Sequence, residues 1–234
     1  GTGSNTLLFV HGLAGFANLW EKQVVHLSKS NRCVAIDLPG CGGSSAGSFN
    51  YGMNFYSETI LNFIEKCGLK NVTLVGHSMG GQIAISLSLK HPEIFEKLIL
   101  IAPAGFEQFS IAEAELLKSI MSIGGMFINS ENQFSGFLRQ SFFNYSPEAA
   151  GLVDNLLSEF YIADKVQWRR MVSKNINMML EEKTYDQLHL LQQDVLVLFG
   201  EKDLMIPNVF LHPLTTKIVA KRACSMIKIG RAHV

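Results

Sequence analysis

The run from Val72 to Leu89, VTLVGHSMGGQIAISLSL, sets a serine between a β-branched stretch and an apolar stretch of helical character, within Gly76-His77-Ser78-Met79-Gly80. A strand that turns sharply into a helix holds a serine Oγ out into a cleft, and small flanking residues keep the turn free of clashes. A serine so placed can attack a carbonyl carbon. Its hydroxyl is a poor nucleophile at neutral pH, so the chemistry also needs a base to take the proton and a carboxylate to orient that base. The G-x-S-x-G pattern alone carries little weight, because Gly43-Ser44-Ser45-Ala46-Gly47 also fits it. That copy follows a Gly-rich loop and leads into SFNYG, with no strand before it and no helix after. Ser45 therefore reads as a loop residue and Ser78 as the nucleophile.

Holding that serine requires a sheet. Leu7 to Val10, Cys33 to Leu38, Val72 to Val75 and Leu98 to Ala102 are short apolar runs bounded by polar or Gly-rich stretches, the mark of buried parallel strands. Between them, Leu19 to Lys29 and Phe55 to Cys67 have helical spacing (Phe55, Ile60, Phe63, Ile64), with Gly68 placed to stop the second helix. The alternation predicts an α/β fold, an open parallel sheet with helices on both faces. Ligands in such sheets bind at the carboxyl ends of the strands, where His11-Gly12 and Ser78 both fall.

From Glu107 to Gln193 the alternation stops. AEAELLKSIMSI, NQFSGFLRQSFF and PEAAGLVDNLLSEF are helical in spacing, and strand character returns only at Asp194 to Gly200, followed by the turn EKDLMIP. A helical insertion between two strands of one sheet is most simply a lid over the site. A separate helical domain is the alternative. The expected organisation is a core part at 1–106, a helical lid at 107–193 and a second core part at 194–234. Some lid Phe and Met residues should line an apolar pocket.

Composition narrows the function classes. Lys plus Arg and Asp plus Glu each total 20, so no net field draws nucleic acid or an anionic membrane. The longest apolar runs, such as LILIAPAGF, are too short to span a bilayer. With 47% hydrophobic content, 234 residues can bury the core of one domain. Cys33, Cys41, Cys67 and Cys224 lack C-x-x-C spacing and read as reduced, mostly buried thiols, which points to a cytoplasmic protein. No signal peptide is visible, but the chain begins at Gly1 with a strand close behind, so a missing upstream segment could hide one. No metal-ligand spacing, phosphate loop or dinucleotide fingerprint occurs, and no cofactor is expected. The oligomeric state is not legible.

Five stretches, LLFVHGLAG, VAIDLPGCGGSS, VTLVGHSMGGQIA, HPEIFEKLILIAPAG and VLVLFGEKDLMIP, resemble the α/β-hydrolase superfamily in its own order and over nearly the whole chain. The resemblance implies the chain order Ser, acid, His. Asp203, in the turn after VLVLFG, matches the family's acid. Glu201 in the same turn is its rival, in a position that faces water. The resemblance also implies an oxyanion hole made by the backbone amides of Met79, just after Ser78, and Leu13, just after His11-Gly12. His11 is expected to brace that loop, and its place before the serine does not suit a catalytic base. The strands that normally precede the HG strand are absent, and the family's last strand, His and final helix are mostly or wholly absent.

His233, in IGRAHV, takes the place of the family's histidine, and two readings weigh against it. LTTKIVAKRACSMIK reads as one amphipathic helix, leaving only Ile227 to Ile229 as strand. Ile229 to Val234 is also the translation of ATC GGA AGA GCA CAC GTC, a common sequencing-adapter sequence. The natural chain is therefore expected to continue past about Lys228, with the true base beyond it. Of the other histidines, His77 reads as elbow packing, His91 as a helix end before Pro92, and His26, His189 and His212 as surface or loop positions.

The leading expectation is a serine hydrolase that cleaves an ester, thioester or related carbonyl substrate with an apolar acyl part, through an acyl-enzyme. The same motifs admit another triad reaction, such as C–C bond hydrolysis, acyl transfer or perhydrolysis, or a small-molecule sensor that keeps the triad. A nucleophilic Asp would mark dehalogenase or epoxide chemistry, and Ser78 argues against both.

Overall fold

The computed structural model of the chain describes residues 1–107, 109–124, 131–140, 142, 144–200, 203 and 224–229. Its strands are β1 (Thr6–Val10), β2 (Arg32–Ile36), β3 (Val72–His77), β4 (Phe95–Ile101), β5 (Asp194–Gly200) and β6 (Cys224–Ile229). They form one parallel sheet in the order β2-β1-β3-β4-β5-β6. A parallel sheet is covered on both faces, and β1 is accordingly buried at every position. Strand β4 starts earlier than its apolar run predicts. Phe95 pairs with Val72, the register then shifts so that Thr73 pairs with Lys97 and Glu96 is passed over, and the exposed Glu96 and Lys97 interrupt the apolar pattern.

The helices of the first half are α1 (Glu21–Leu27), α2 (Met53–Lys66) and α3 (Met79–Lys90). The expected helix from Leu19 is split, because Ala17–Trp20 first makes a 3-10 turn that buries Trp20 5.2 Å from the Phe9 ring. Helix α2 stops as Gly68 suggests: at φ +57 it donates to the Glu65 carbonyl, and Leu69 donates to that of Ile64. That pair of bonds is a Schellman close, favoured by glycine because the left-handed region costs it nothing. Helix α3 is buried from Met79 to Ser88, so it runs through the interior rather than along a solvated face.

Between β4 and β5 lie α4 (Ile111–Gly124), α5 (Glu131–Gln140), α6 (Pro147–Ile162), α7 (Lys165–Glu181) and a 3-10 turn at Tyr185–Leu190, with no strand among the described residues. Ser146 caps α6 ahead of Pro147, and Asp164 caps α7 by accepting from the amides of Val166 and Gln167. Phe134, Phe160 and Trp168 cluster at ring distances of 5.0–5.4 Å and join α5, α6 and α7. The second half of α7 and the residues after it are tied to the core by buried and part-buried polar bonds. Asn175 Nδ2 donates to the Tyr56 hydroxyl at 2.9 Å, Gln82 Nε2 to the Met179 carbonyl at 3.1 Å, and Thr184 Oγ1 to the Gly105 carbonyl at 2.8 Å.

The chain end corrects one expectation. Cys224 to Ile229 is a six-residue strand, not the end of a helix, and it pairs with β5 from Val195 opposite Cys224 to Gly200 opposite Ile229. The main-chain groups on that side of β5 need partners, and a parallel strand supplies them where a helix cannot. The rest of the expected helix lies outside the described residues. Of the thiols, Cys41 is buried, but Cys33 is half-buried and Cys67, at the cap of α2, is exposed. Among the described residues no helix is long and apolar enough to cross a membrane.

Candidate active site

Ser78 sits at the junction of β3 and α3 with φ 49° and ψ −119°. A non-glycine residue in that region costs on the order of 1–3 kcal/mol and persists only where its surroundings enforce it. Here they do. The Ser78 amide donates to the Ile101 carbonyl at 3.1 Å, and its carbonyl accepts from the amides of Gly81 (2.9 Å), Gln82 (3.2 Å) and Ala104 (3.0 Å). The flanking glycines are sterically obligatory. A β-carbon on Gly80 would meet the Val10 carbonyl oxygen at 2.3 Å, and one on Gly76 the Gly80 carbonyl oxygen at 2.5 Å. Met79 opens α3, so its N–H has no acceptor within the helix and lies at the positive end of the helix dipole.

The loop after β1 lies against this elbow. Strand β1 pairs with β3, Val10 opposite Gly76, and a β-carbon on Gly12 would fall 3.1 Å from Ser78 Cβ. Leu13 follows, half-buried, with the Gly15 amide closing the turn onto the Gly12 carbonyl at 3.1 Å. His11 is buried at the root of the loop. Its Nε2 accepts the Leu38 amide at 3.0 Å, so Nδ1 carries the proton and donates to the Gly12 carbonyl at 2.7 Å. Burial lowers the His11 pKa, while the bond to Gly12 and the charge of Asp37 oppose the shift. With both nitrogens engaged, this imidazole holds backbone and has no lone pair free for a reacting hydroxyl. His77 is pushed down to about 4, first by desolvation and then by His11, and is neutral at physiological pH.

Asp203 is half-buried in the turn after β5, its amide 3.4 Å from the Gly200 carbonyl. Ser78 and Asp203 thus leave the same carboxyl edge, on strands separated by β4 and so about 10 Å apart, two strand spacings. Strand β6 ends at that edge too, with Ile229 opposite Gly200. His233, His212 and Glu201 lie outside the described residues. His26 and His189 are exposed, and His91 ends α3 ahead of Pro92.

Two carboxylates not singled out by motif also stand at this edge. Glu107 Oε2 accepts from the amides of Gly105 (2.9 Å) and Phe106 (3.1 Å), in the loop that touches Ser78 through Ala104, and burial raises its pKa. Asp37, at the end of β2, accepts from Ala17 and Gly43. A signal existed for both, since each acid closely follows the apolar run of a parallel strand. A cavity of about 440 Å³ beside the first turn of α2 is lined by Tyr51, Met53, Phe55, Glu58 and Glu182 among others, and Ser78 is not in its wall. Among the described residues, no three His, Cys, Asp or Glu side chains converge as a metal site.

The family model described as the alpha/beta hydrolase fold matches residues 5–228. The uncharacterised hydrolase YugF of Bacillus subtilis is 35% identical over 105 residues, covering 44% of this chain and 38% of that one. The matched segments take up only 38%, 28% and 26% of the first three such curated relatives, so the chain spans well under half of their length. Among solved structures, an esterase from Exiguobacterium antarcticum is 25% identical with a TM-score of 0.78, over 96% of this chain and 83% of that one. The enol-lactonase of Burkholderia xenovorans has a TM-score of 0.81 at 18% identity, over 100% and 85%, and attests the fold alone.

Proposed function

We propose that this chain, which belongs to the alpha/beta hydrolase fold family, is a serine hydrolase that cleaves an ester, thioester or related carbonyl substrate through an acyl-enzyme. The observation that carries the reading is Ser78 itself, held at φ 49° on a strand-to-helix elbow with the Gly12 backbone packed against it. Strain of this kind, enforced by three main-chain bonds to one carbonyl, supports a catalytic serine. The 25% identical esterase supports an ester as substrate.

Ser78 Oγ attacks the substrate carbonyl carbon and surrenders its proton to the base. The tetrahedral oxyanion is held by the amides of Leu13 and Met79, preset donors that need no reorganisation. Collapse expels the alcohol or thiol, which takes the proton from the base, and leaves an ester on Ser78. Water attacks that ester through a second such intermediate, freeing the acid and restoring the hydroxyl. Asp203 orients the base. By family order the base is a histidine beyond β6, a place that His233 fills in this sequence. The helical insertion α4–α7 acts as the lid, and its apolar side chains accommodate the acyl part.

A fluorophosphonate probe followed by peptide mapping tests the reading. Label on Ser78 is expected, and label elsewhere or none at all overturns it. His233→Ala in the same assay decides the base: a lost signal identifies His233, and an unchanged one moves the role to another residue.

A further inference from the structure

The loop that carries Leu13 is held at both ends by two consecutive residues at the exit of β2. At its start, the Leu38 amide donates to His11 Nε2 at 3.0 Å. At its far end, the Ala17 amide donates to Asp37 Oδ1 at 2.6 Å. Between these points the chain makes a tight turn, with Ala14 at φ +55. The second carboxylate oxygen, Asp37 Oδ2, accepts the Gly43 amide at 2.9 Å, and Ser44 Oγ donates to the Asp37 carbonyl at 2.7 Å. Gly42, at φ +52, lets its loop close down on the carboxylate, since a β-carbon there would fall 2.5 Å from Asp37 Cγ.

One carboxylate therefore joins two loops that share no ladder bond, and bonds to an ionised acceptor are roughly twice as strong as neutral ones. We infer that Asp37 is a positioning residue for the oxyanion hole: it touches no substrate, and it fixes the Leu13 amide over Ser78 by clamping the end of the loop that His11 anchors at the start. The inference rests on the hydrolase reading above. A cap for the 3-10 turn at Ala17–Trp20 would need only one of the two oxygens. The second ties the Gly42–Ser44 loop to the same point, so both loops move as one body. An asparagine can replace one acceptor but turns an N–H toward a donor at the other.

The test uses the natural full-length enzyme with Asp37→Ala and Asp37→Asn. Fluorophosphonate labelling of the unaltered enzyme comes first, because its failure overturns the hydrolase reading and the inference with it. In a labelled enzyme, Asp37→Ala is expected to speed amide hydrogen exchange roughly tenfold in peptides covering residues 11–17, with β1 and β3 unchanged. It should also lower kcat about 10- to 100-fold while KM stays within about twofold, as for a displaced oxyanion donor. Asp37→Asn should fall between parent and Ala in both readouts, and it carries the test where the Ala variant does not fold. Unchanged exchange at 11–17, a loss confined to KM, or protection lost evenly across the sheet would overturn the inference.

Discussion

Gly12 packs so closely on the elbow that a β-carbon there would lie 3.1 Å from Ser78 Cβ and 2.9 Å from His77 Nδ1. The loop after β1 therefore passes the turn after β3 with no room for a side chain at position 12. A 3.1 Å carbon–carbon approach is tighter than ordinary packing, so any added atom must push the loop away.

Gly12→Ala should lower kcat/KM for a p-nitrophenyl ester by about 10- to 100-fold while leaving the fold intact, because the oxyanion donor moves by a fraction of an ångström to an ångström. Parent-like turnover in this variant would separate the loop from the chemistry.

Ser78→Ala should abolish ester hydrolysis by roughly 10³-fold or more, whereas Ser45→Ala, in an exposed loop, should be neutral. Stability adds a second readout. Ser78→Gly relieves the positive φ and should be more stable than Ser78→Ala by about 1 kcal/mol in urea titration. Equal stability of the two variants would contradict a strained elbow.

The pH dependence of stability follows from His77. Its folded pKa of about 4 lies below the ordinary 6.5, so the unfolded chain binds the proton first as pH falls. The contribution is complete above pH 6.5 and is lost on descending toward about 4. His77→Gln should therefore lose less stability between pH 7 and pH 5 than the parent. An identical loss would remove His77 from the account. Glu107 acts with the opposite sign, since its raised pKa makes the folded state cheaper with the carboxyl protonated.

Thr184→Val removes the buried bond to the Gly105 carbonyl at 2.8 Å, beside the loop that touches Ser78. A cost of about 1–3 kcal/mol is expected from the carbonyl left without its donor, measurable as a shifted urea midpoint. No shift would show that the root of the helical insertion does not depend on this bond.

For the acyl part, kcat/KM should rise from acetyl to butyryl to hexanoyl esters, by up to about 0.8 kcal/mol per buried CH₂. A flat or falling series would count against an apolar pocket under α4–α7.

The sequence by itself determined whatever local pattern encodes. Buried parallel strands read as short apolar runs, α2 as a 3.6-residue period closed by Gly68, and Ser78 as a serine between a strand and a helix, because each is a property of neighbours along the chain. Ser78 was separable from Ser45 for the same reason. Only the tertiary structure decided what depends on distant segments meeting. Strand β4 begins at Phe95 because Val72 supplies a partner there, despite Glu96 and Lys97. Cys224–Ile229 is a strand because β5 offers an edge, although its residues also suit a helix face. No motif in the sequence singles out Asp37 or Glu107, although each stands near the end of an apolar run. Their bonds run to main-chain amides, and a bond to an amide leaves no mark on the identity of its partner. Asp37 meets Ala17 only because parallel pairing brings the exits of β1 and β2 to one edge.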